Sequence, residues 1–359
     1  MRKLAMAAWG LAGTSALAMG AVCFTSGCAS VGYLAQSVGG HMAVINAAKP
    51  IAEWTADPAT PAPLRARLEL SQRMRDFAVT ELKLPDNGSY RRYADLKRRA
   101  AVWNVVAAPE LSLKLETWCF PVVGCIGYRG YYDEGEARAF GEALKAKGLE
   151  VNVYPVPAYS TLGKLEWLGG DPLLNTFVNQ HEVDLARLIF HELAHQVAYA
   201  AGDTTFNESF ATAVERIGGA RWIDKHGSPQ MLDQLARSDA IRADFRAMVA
   251  THREELEQVY KSPRPDDEKR SEKARIMASL RAAHRHAKAQ RWNGSTAYDA
   301  WFERANNATL GVTAAYNELV PDFERMFERE GRDFTRFYAE VRRLAALPRD
   351  ERRATLAAR

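Results

Sequence analysis

His191 and His195 stand four residues apart, with Glu192 directly after the first, in Leu188-Ile189-Phe190-His191-Glu192-Leu193-Ala194-His195-Gln196. Residues i and i+4 of a helix lie one above the other on one face, so both imidazoles can reach a single ion. Glu192 falls at the edge of that face, close enough to take a proton from a water on the ion. Zinc suits this donor set: it lowers the pKa of its water towards neutrality and polarises a carbonyl for hydrolysis. One Zn2+ per chain is therefore expected. The competing reading is a pair of core histidines satisfied by their neighbours. The flanking positions are apolar nearly all round, which marks a buried helix. Two histidines and a glutamate buried there need partners, and a metal supplies them most directly.

A third ligand is sought just downstream, in Thr205-Phe206-Asn207-Glu208-Ser209-Phe210-Ala211-Thr212-Ala213-Val214-Glu215. Thr205-x-x-Glu208 also reads as a capping box, which would employ Glu208 at a helix start. After the His-Glu-x-x-His run, Glu208 is read instead as the third metal ligand. The expected frame is a helix over 183–201, a turn at Gly202-Asp203-Thr204 and a second helix over 207–217. In such a hairpin, at about 1.5 Å per residue, Glu208 comes level with Tyr199 and Glu215 with His191 or His195. Glu215 thus stays open as an alternative third ligand or as a group orienting a histidine. A metzincin-type continuation is excluded, because Ala198 and Ala201 occupy the places of its glycine and third ligand.

These helices need a scaffold, and the pattern around them is mixed. Residues 43–106 read as mainly helical, with Leu64, Leu68, Leu70, Met74 and Phe77 near helical spacing. Leu111, Leu113 and Leu115 alternate with polar residues, and so does 150–156, as half-buried strands do. A helix is expected between them from Asp133 to Lys147, ending at Gly148. Beyond Trp222 the chain reads as helical. Its charge-dense stretch 254–290 fits an exposed hairpin or insertion with His284 and His286 in solvent. Phe323, Met326, Phe327, Phe334, Phe337 and Tyr338 read as core. The parts are then a leader over 1–27, a helical part over 28–110, a small β part over 111–170, the two site helices over 171–220 and a helical C-terminal part over 221–359.

Arg2 and Lys3 precede an uncharged apolar run, Leu4 to Phe24, which reads as a targeting segment. Thr25-Ser26-Gly27-Cys28 resembles the lipobox of bacterial lipoproteins, with Cys28 as the acylated residue. An ordinary secretory signal and a retained anchor are the alternatives. Ala29 after the cysteine favours the outer membrane, facing the periplasm. In such an oxidising compartment Cys119 and Cys125, flanking Pro121 and Gly124, read as a small disulfide-closed turn. A second zinc site there lacks further Cys or His nearby. The net charge of +4 is spread out, so no nucleic-acid partner is implied.

Asn207-Glu208-x-Phe210-Ala211 is similar to the second-helix run of gluzincin aminopeptidases. Together with Ile189 to Gln196, Val102-Trp103-Asn104-Val105, the Trp118–Gly130 block and Ala158 to Gly163, it resembles a bacterial lipoprotein family described as predicted aminopeptidases. The resemblance implies an α+β, mainly helical zincin-like (thermolysin-like) metallopeptidase, with a small β-sheet before the active-site helix. It also implies a peptide substrate in the cell envelope and a lipid-anchored chain. No Gly-x-Met-Glu-Asn segment for gripping a free amine is present. An envelope or peptidoglycan endopeptidase and a non-catalytic zinc lipoprotein are therefore kept as alternatives. For the oxyanion donor that such hydrolysis needs, Tyr316 is the candidate. Tyr159 is the candidate for a substrate-binding edge.

Overall fold

In the computed structural model, residues 28–120, 124–158, 161, 169–315 and 318–358 are described. Tyr159, Tyr316 and the leader 1–27 lie outside them, and Cys28 is described by its backbone alone, as the first residue of helix α1 (Cys28–Ala47). A short strand β1 (Lys49–Pro50) and helix α2 (Ile51–Ala56) lead into α3 (Ala62–Thr80), which starts with Pro63 in its first turn. There proline's missing N–H is harmless. Strand β2 (Arg92–Ala94) pairs with β1 and, in parallel, with β8 (Leu173–Leu174).

The second sheet corrects the sequence reading. Its central strand β3 (Val102–Pro109) begins inside the stretch expected to be helical, whereas 111–115 forms no strand. The strand is flanked by β6 (Arg129–Tyr131) and β7 (Leu149–Val156), both antiparallel to it. Helix α4 (Glu134–Lys145) covers one face, through Ala137 and Leu144, and α10 (Asn307–Ala315) the other, through Ala308. A strand covered on both faces shows little alternation, and Val102 to Ala108 is apolar apart from Asn104, which is why it gave no strand signal. Asp133 caps α4 by accepting from the Glu136 N–H at 2.9 Å, and Gly148 ends the turn after it with φ 81°.

The hairpin β4 (Trp118–Phe120) to β5 (Gly124–Ile126) places Cys119 opposite Cys125, and their sulfurs are bonded. Gly124 has φ 75°, and a Cβ there would lie 2.9 Å from the backbone nitrogen of Gly202. The hairpin thus presses against the turn joining α5 (Glu182–Ala194) to α6 (Thr204–His226). These two helices run antiparallel at the centre of the largest core. They approach closely because Gly218 and Gly219 oppose Phe190 and Arg187, where a Cβ would come within 2.9 Å and 2.7 Å of the facing side chains. Phe77 of α3 closes the bundle against Phe190 and Trp222.

The charged stretch is a helical hairpin of α7 (Pro229–Lys261) and α8 (Asp266–Gln290) with a core of its own, including Phe245, Val249, Leu256, Ile276 and Leu280. His284 is buried in it, stacked on Phe302 of α9 (Asp299–Glu303) at 4.1 Å, rather than solvated. Helices α11 (Val320–Arg329), α12 (Phe334–Ala345) and α13 (Arg349–Ala357) return to the main core, where Phe323, Met326, Phe327, Phe334, Phe337 and Tyr338 are buried. Among the described residues no helix is long and apolar enough to cross a membrane.

Candidate metal centre

Helix α5 ends at Ala194, seven residues earlier than the sequence pattern suggests, and His195 forms its C-cap. The early stop has a visible cause. Asn207 is buried and holds the chain at Ala200 with both ends of its amide: Oδ1 accepts from the Ala200 N–H at 2.8 Å and Nδ2 donates to the Ala200 carbonyl at 2.9 Å. Asp203 then caps α6 by accepting from the Phe206 N–H at 3.2 Å. The cap position is therefore filled by Asp203, and Glu208 is released from capping. With α5 ended early and the chain held at Ala200, Glu208 comes level with the histidines instead of with Tyr199.

The Nε2 atoms of His191 and His195 lie 3.4 Å and 3.5 Å from one oxygen, Oε2 of Glu208. All three residues are buried, and their donor atoms fall within 4.8 Å of one another. The fit to a small cation can be tested on these distances. Ligand atoms about 2.1 Å from a tetrahedral zinc stand about 3.4 Å from one another, the spacing found between Glu208 and each histidine. The charge balance points the same way. Glu192, Glu208 and Glu215 place three carboxylates around two imidazoles, and they drive His191 well above its ordinary pKa although burial opposes this. Glu208 is held below the usual carboxylate range, burial again being outweighed, here by the two histidines. This buried group can hold a metal ion.

Glu215 does not join the converging atoms. Its Oε2 lies 3.1 Å from Nδ1 of His191, on the other side of that ring. Burial opposes its ionisation, but His191, Arg187 and Arg242 keep it below the usual range. A carboxylate in that place fixes the tautomer and the orientation of a ligating imidazole. Glu192 is buried beside the cluster, and among the described residues its carboxylate has no hydrogen-bond partner. Burial pushes its pKa up, and the two histidines only partly offset this.

Three tyrosines ring the site that the sequence did not single out. Tyr128, between β5 and β6, Tyr154 of β7 and Tyr199 in the α5–α6 connection all feel the negative charge of Glu208. Burial is the main reason that each phenol is raised, Tyr154 to about 12, so all three stay protonated donors at neutral pH. Tyr128 falls within the Trp118–Gly130 block, but no spacing ties it to a helix some sixty residues later. Gln196, next to the second histidine, accepts from Nδ2 of Asn87 at 2.6 Å and donates to Ser89 at 3.0 Å, tying the end of α5 to the turn after α3.

A sheet-and-helix scaffold of α+β class thus carries two histidines and a glutamate from adjoining helices into one buried cluster. The family described as "Putative aminopeptidase" matches residues 32–356. The chain belongs to that family, whose description points to a peptidase and so to a peptide substrate. No curated protein and no solved structure matches the chain.

Proposed function

We propose that the chain is a zinc-dependent peptidase of the gluzincin kind, acting as an aminopeptidase on a thermolysin-like zincin scaffold. The observation that carries this reading is the convergence of both Nε2 atoms on Oε2 of Glu208, at 3.4 Å and 3.5 Å, with an unpaired buried Glu192 alongside. Zinc bound by His191, His195 and Glu208 supplies Lewis acidity, polarising the scissile carbonyl and making water more acidic. Glu192 is the general base. Its raised pKa brings it closer to the working pH, where a group can both take a proton from water and return it to the leaving amine. Glu215 holds His191 in the tautomer that presents Nε2 to the cluster. The developing oxyanion draws its hydrogen bond from a tyrosine hydroxyl, the candidates being Tyr128, Tyr154, Tyr199 and Tyr316, while Tyr159 lines the substrate edge.

In the cell the chain is proposed to lose residues 1–27, carry acyl chains on Cys28 and act at the outer membrane facing the periplasm. Metal analysis and peptide turnover test the chemistry. Wild-type protein should bind about one zinc, and His191→Ala or His195→Ala should lose it. Glu192→Gln should keep the metal while turnover falls about a hundredfold to ten-thousandfold; undiminished turnover in Glu192→Gln sinks the mechanism. Mass-spectrometric mapping of cleavage should show loss of N-terminal residues only, and internal cuts would make the enzyme an endopeptidase. Cys28→Ser should move the protein out of the membrane fraction, and retention there would overturn the lipid anchor.

A further inference from the structure

Along the seam between α5 and α6 lies a cavity of about 420 Å³ roofed by α7. It adjoins a second cavity of about 360 Å³ through shared walls at Arg187, Glu215 and Arg242. Leu188, four residues before Glu192, and Thr212, four residues after Glu208, line these spaces. Residues four apart share a helix face, so these spaces lie about one turn along α5 and α6 from Glu192 and Glu208. Its walls bring together Arg187, Arg216, Arg242 and Arg246.

The two carboxylates that line it are already committed. Asp239 accepts two parallel bonds from Arg187, at 2.9 Å and 3.0 Å, and Glu215 is engaged with His191. Arg242 is held by Asp184 at 2.6 Å. Arg216 pairs with the partly exposed Glu324 at 3.3 Å. Arg246 has no hydrogen bond or ion pair among the described residues, yet it is half-buried beside Arg216. Burial and that neighbouring cation push its pKa down, and Tyr298, Asp239 and Glu324 offset this only in part. A guanidinium withdrawn from water calls for a partner of opposite charge, and its planar fork matches a carboxylate. Phe245 and Tyr298, stacked 4.0 Å apart, give the cavity a flat apolar wall.

We propose that Arg246, with Arg216, receives the terminal carboxylate of a short peptide whose scissile bond lies at the metal cluster. The inference rests on the peptidase reading and adds the substrate class. Eight residues of α6 separate Glu208 from Arg216, about 12 Å along the axis. An extended chain covers about 3.3–3.6 Å per residue, so the leaving portion is two to four residues long. Oligopeptides with a free C-terminus are then preferred over longer chains and over C-terminal amides.

The test compares tetra-alanine with its C-terminal amide on the zinc-loaded full chain. Binding is measured calorimetrically in the Glu192→Gln background, and turnover in the wild type. The free acid should bind at least about tenfold tighter than the amide, as the loss of a charged hydrogen bond would suggest. Arg246→Ala should erase that difference and Arg246→Lys should restore part of it. The melting temperature should not change, because Arg246 makes no ion pair to lose. Equal affinity for acid and amide, or a preference that survives Arg246→Ala, overturns the subsite. Inorganic phosphate binding as tightly as the free-acid peptide would show a general anion site and also overturn it. If neither peptide is cleaved while the binding preference holds, the peptidase reading fails and the carboxylate site stands.

Discussion

Two helical hairpins in this protein each bury a pair of histidines, and only one makes a candidate metal centre. In α7–α8, His252 sets Nδ1 2.8 Å from the Met248 carbonyl and Nε2 3.3 Å from Ser279 Oγ. His284 stacks on Phe302 and lies 3.2 Å from Asp299, which Lys288 already engages. Each of these rings finds its own neighbour. In α5–α6 both rings turn Nε2 to a single oxygen of Glu208, with the buried carboxylate of Glu192 alongside. Burial of a histidine is therefore a poor sign of a metal site. Convergence of several donors on one point, with further carboxylates beside them, is a good one.

The sharpest way to break this contrast is to measure metal content across both hairpins. Glu208→Ala should abolish zinc binding, whereas His252→Ala and His284→Ala should keep it. The latter two should lose about 1–3 kcal/mol of stability from stranded partners and lost packing, seen by denaturant unfolding. Loss of zinc from either α7–α8 variant would erase the distinction.

The next effect concerns the frame that sets the site end of the α5–α6 pair. The Asp203 side chain is 1% exposed, caps α6, and binds Arg352 and Arg353 of α13 at 2.7 Å each. Burial opposes its ionisation, but Arg353 and Arg352 and the Phe206 N–H hold its pKa below the ordinary carboxylate value. A depressed folded-state pKa gives stability that is present above the unfolded value, about 3.9, and lost as pH falls through the folded one. Asp203→Asn should cost about 3–5 kcal/mol near neutrality, because Arg352 is left buried and unpaired. The deficit should shrink as the pH drops below about 4. A deficit independent of acid would assign the loss to the cap alone. The smallest effect is expected at Glu215. Glu215→Gln should weaken zinc affinity by about tenfold to a hundredfold, against complete loss at Glu208. Equal losses at the two would return Glu215 to the ligand set.

The legible part of the molecule was its local chemistry. His191 and His195 could be placed on one helical face, with Glu192 at its edge, because spacing of four is a property of any helix, and the aromatics of α11 and α12 could be placed in the core by their period. The helix over 134–145 and the strand over 149–156 were visible for the same reason: a cap, a terminal glycine and an alternation are all local signals. Strand β3 was not visible, since its pattern depends on being covered from both sides, which only α4 and α10 together achieve.

What the sequence determined by itself was the set of donors, because their identities and helical spacing need no distant partner. Which glutamate faces the metal position was a tertiary matter. It turned on Asn207 clamping Ala200, which ends α5 at Ala194 and shifts α6 until Glu208 meets both Nε2 atoms and Glu215 meets Nδ1. The three tyrosines and the arginine cavity were likewise decided in space. Tyr128, Tyr154 and Arg246 come from a strand connection, a strand and a helix far apart in the chain, and no periodicity links groups that only folding brings within reach of one carboxylate or one anion.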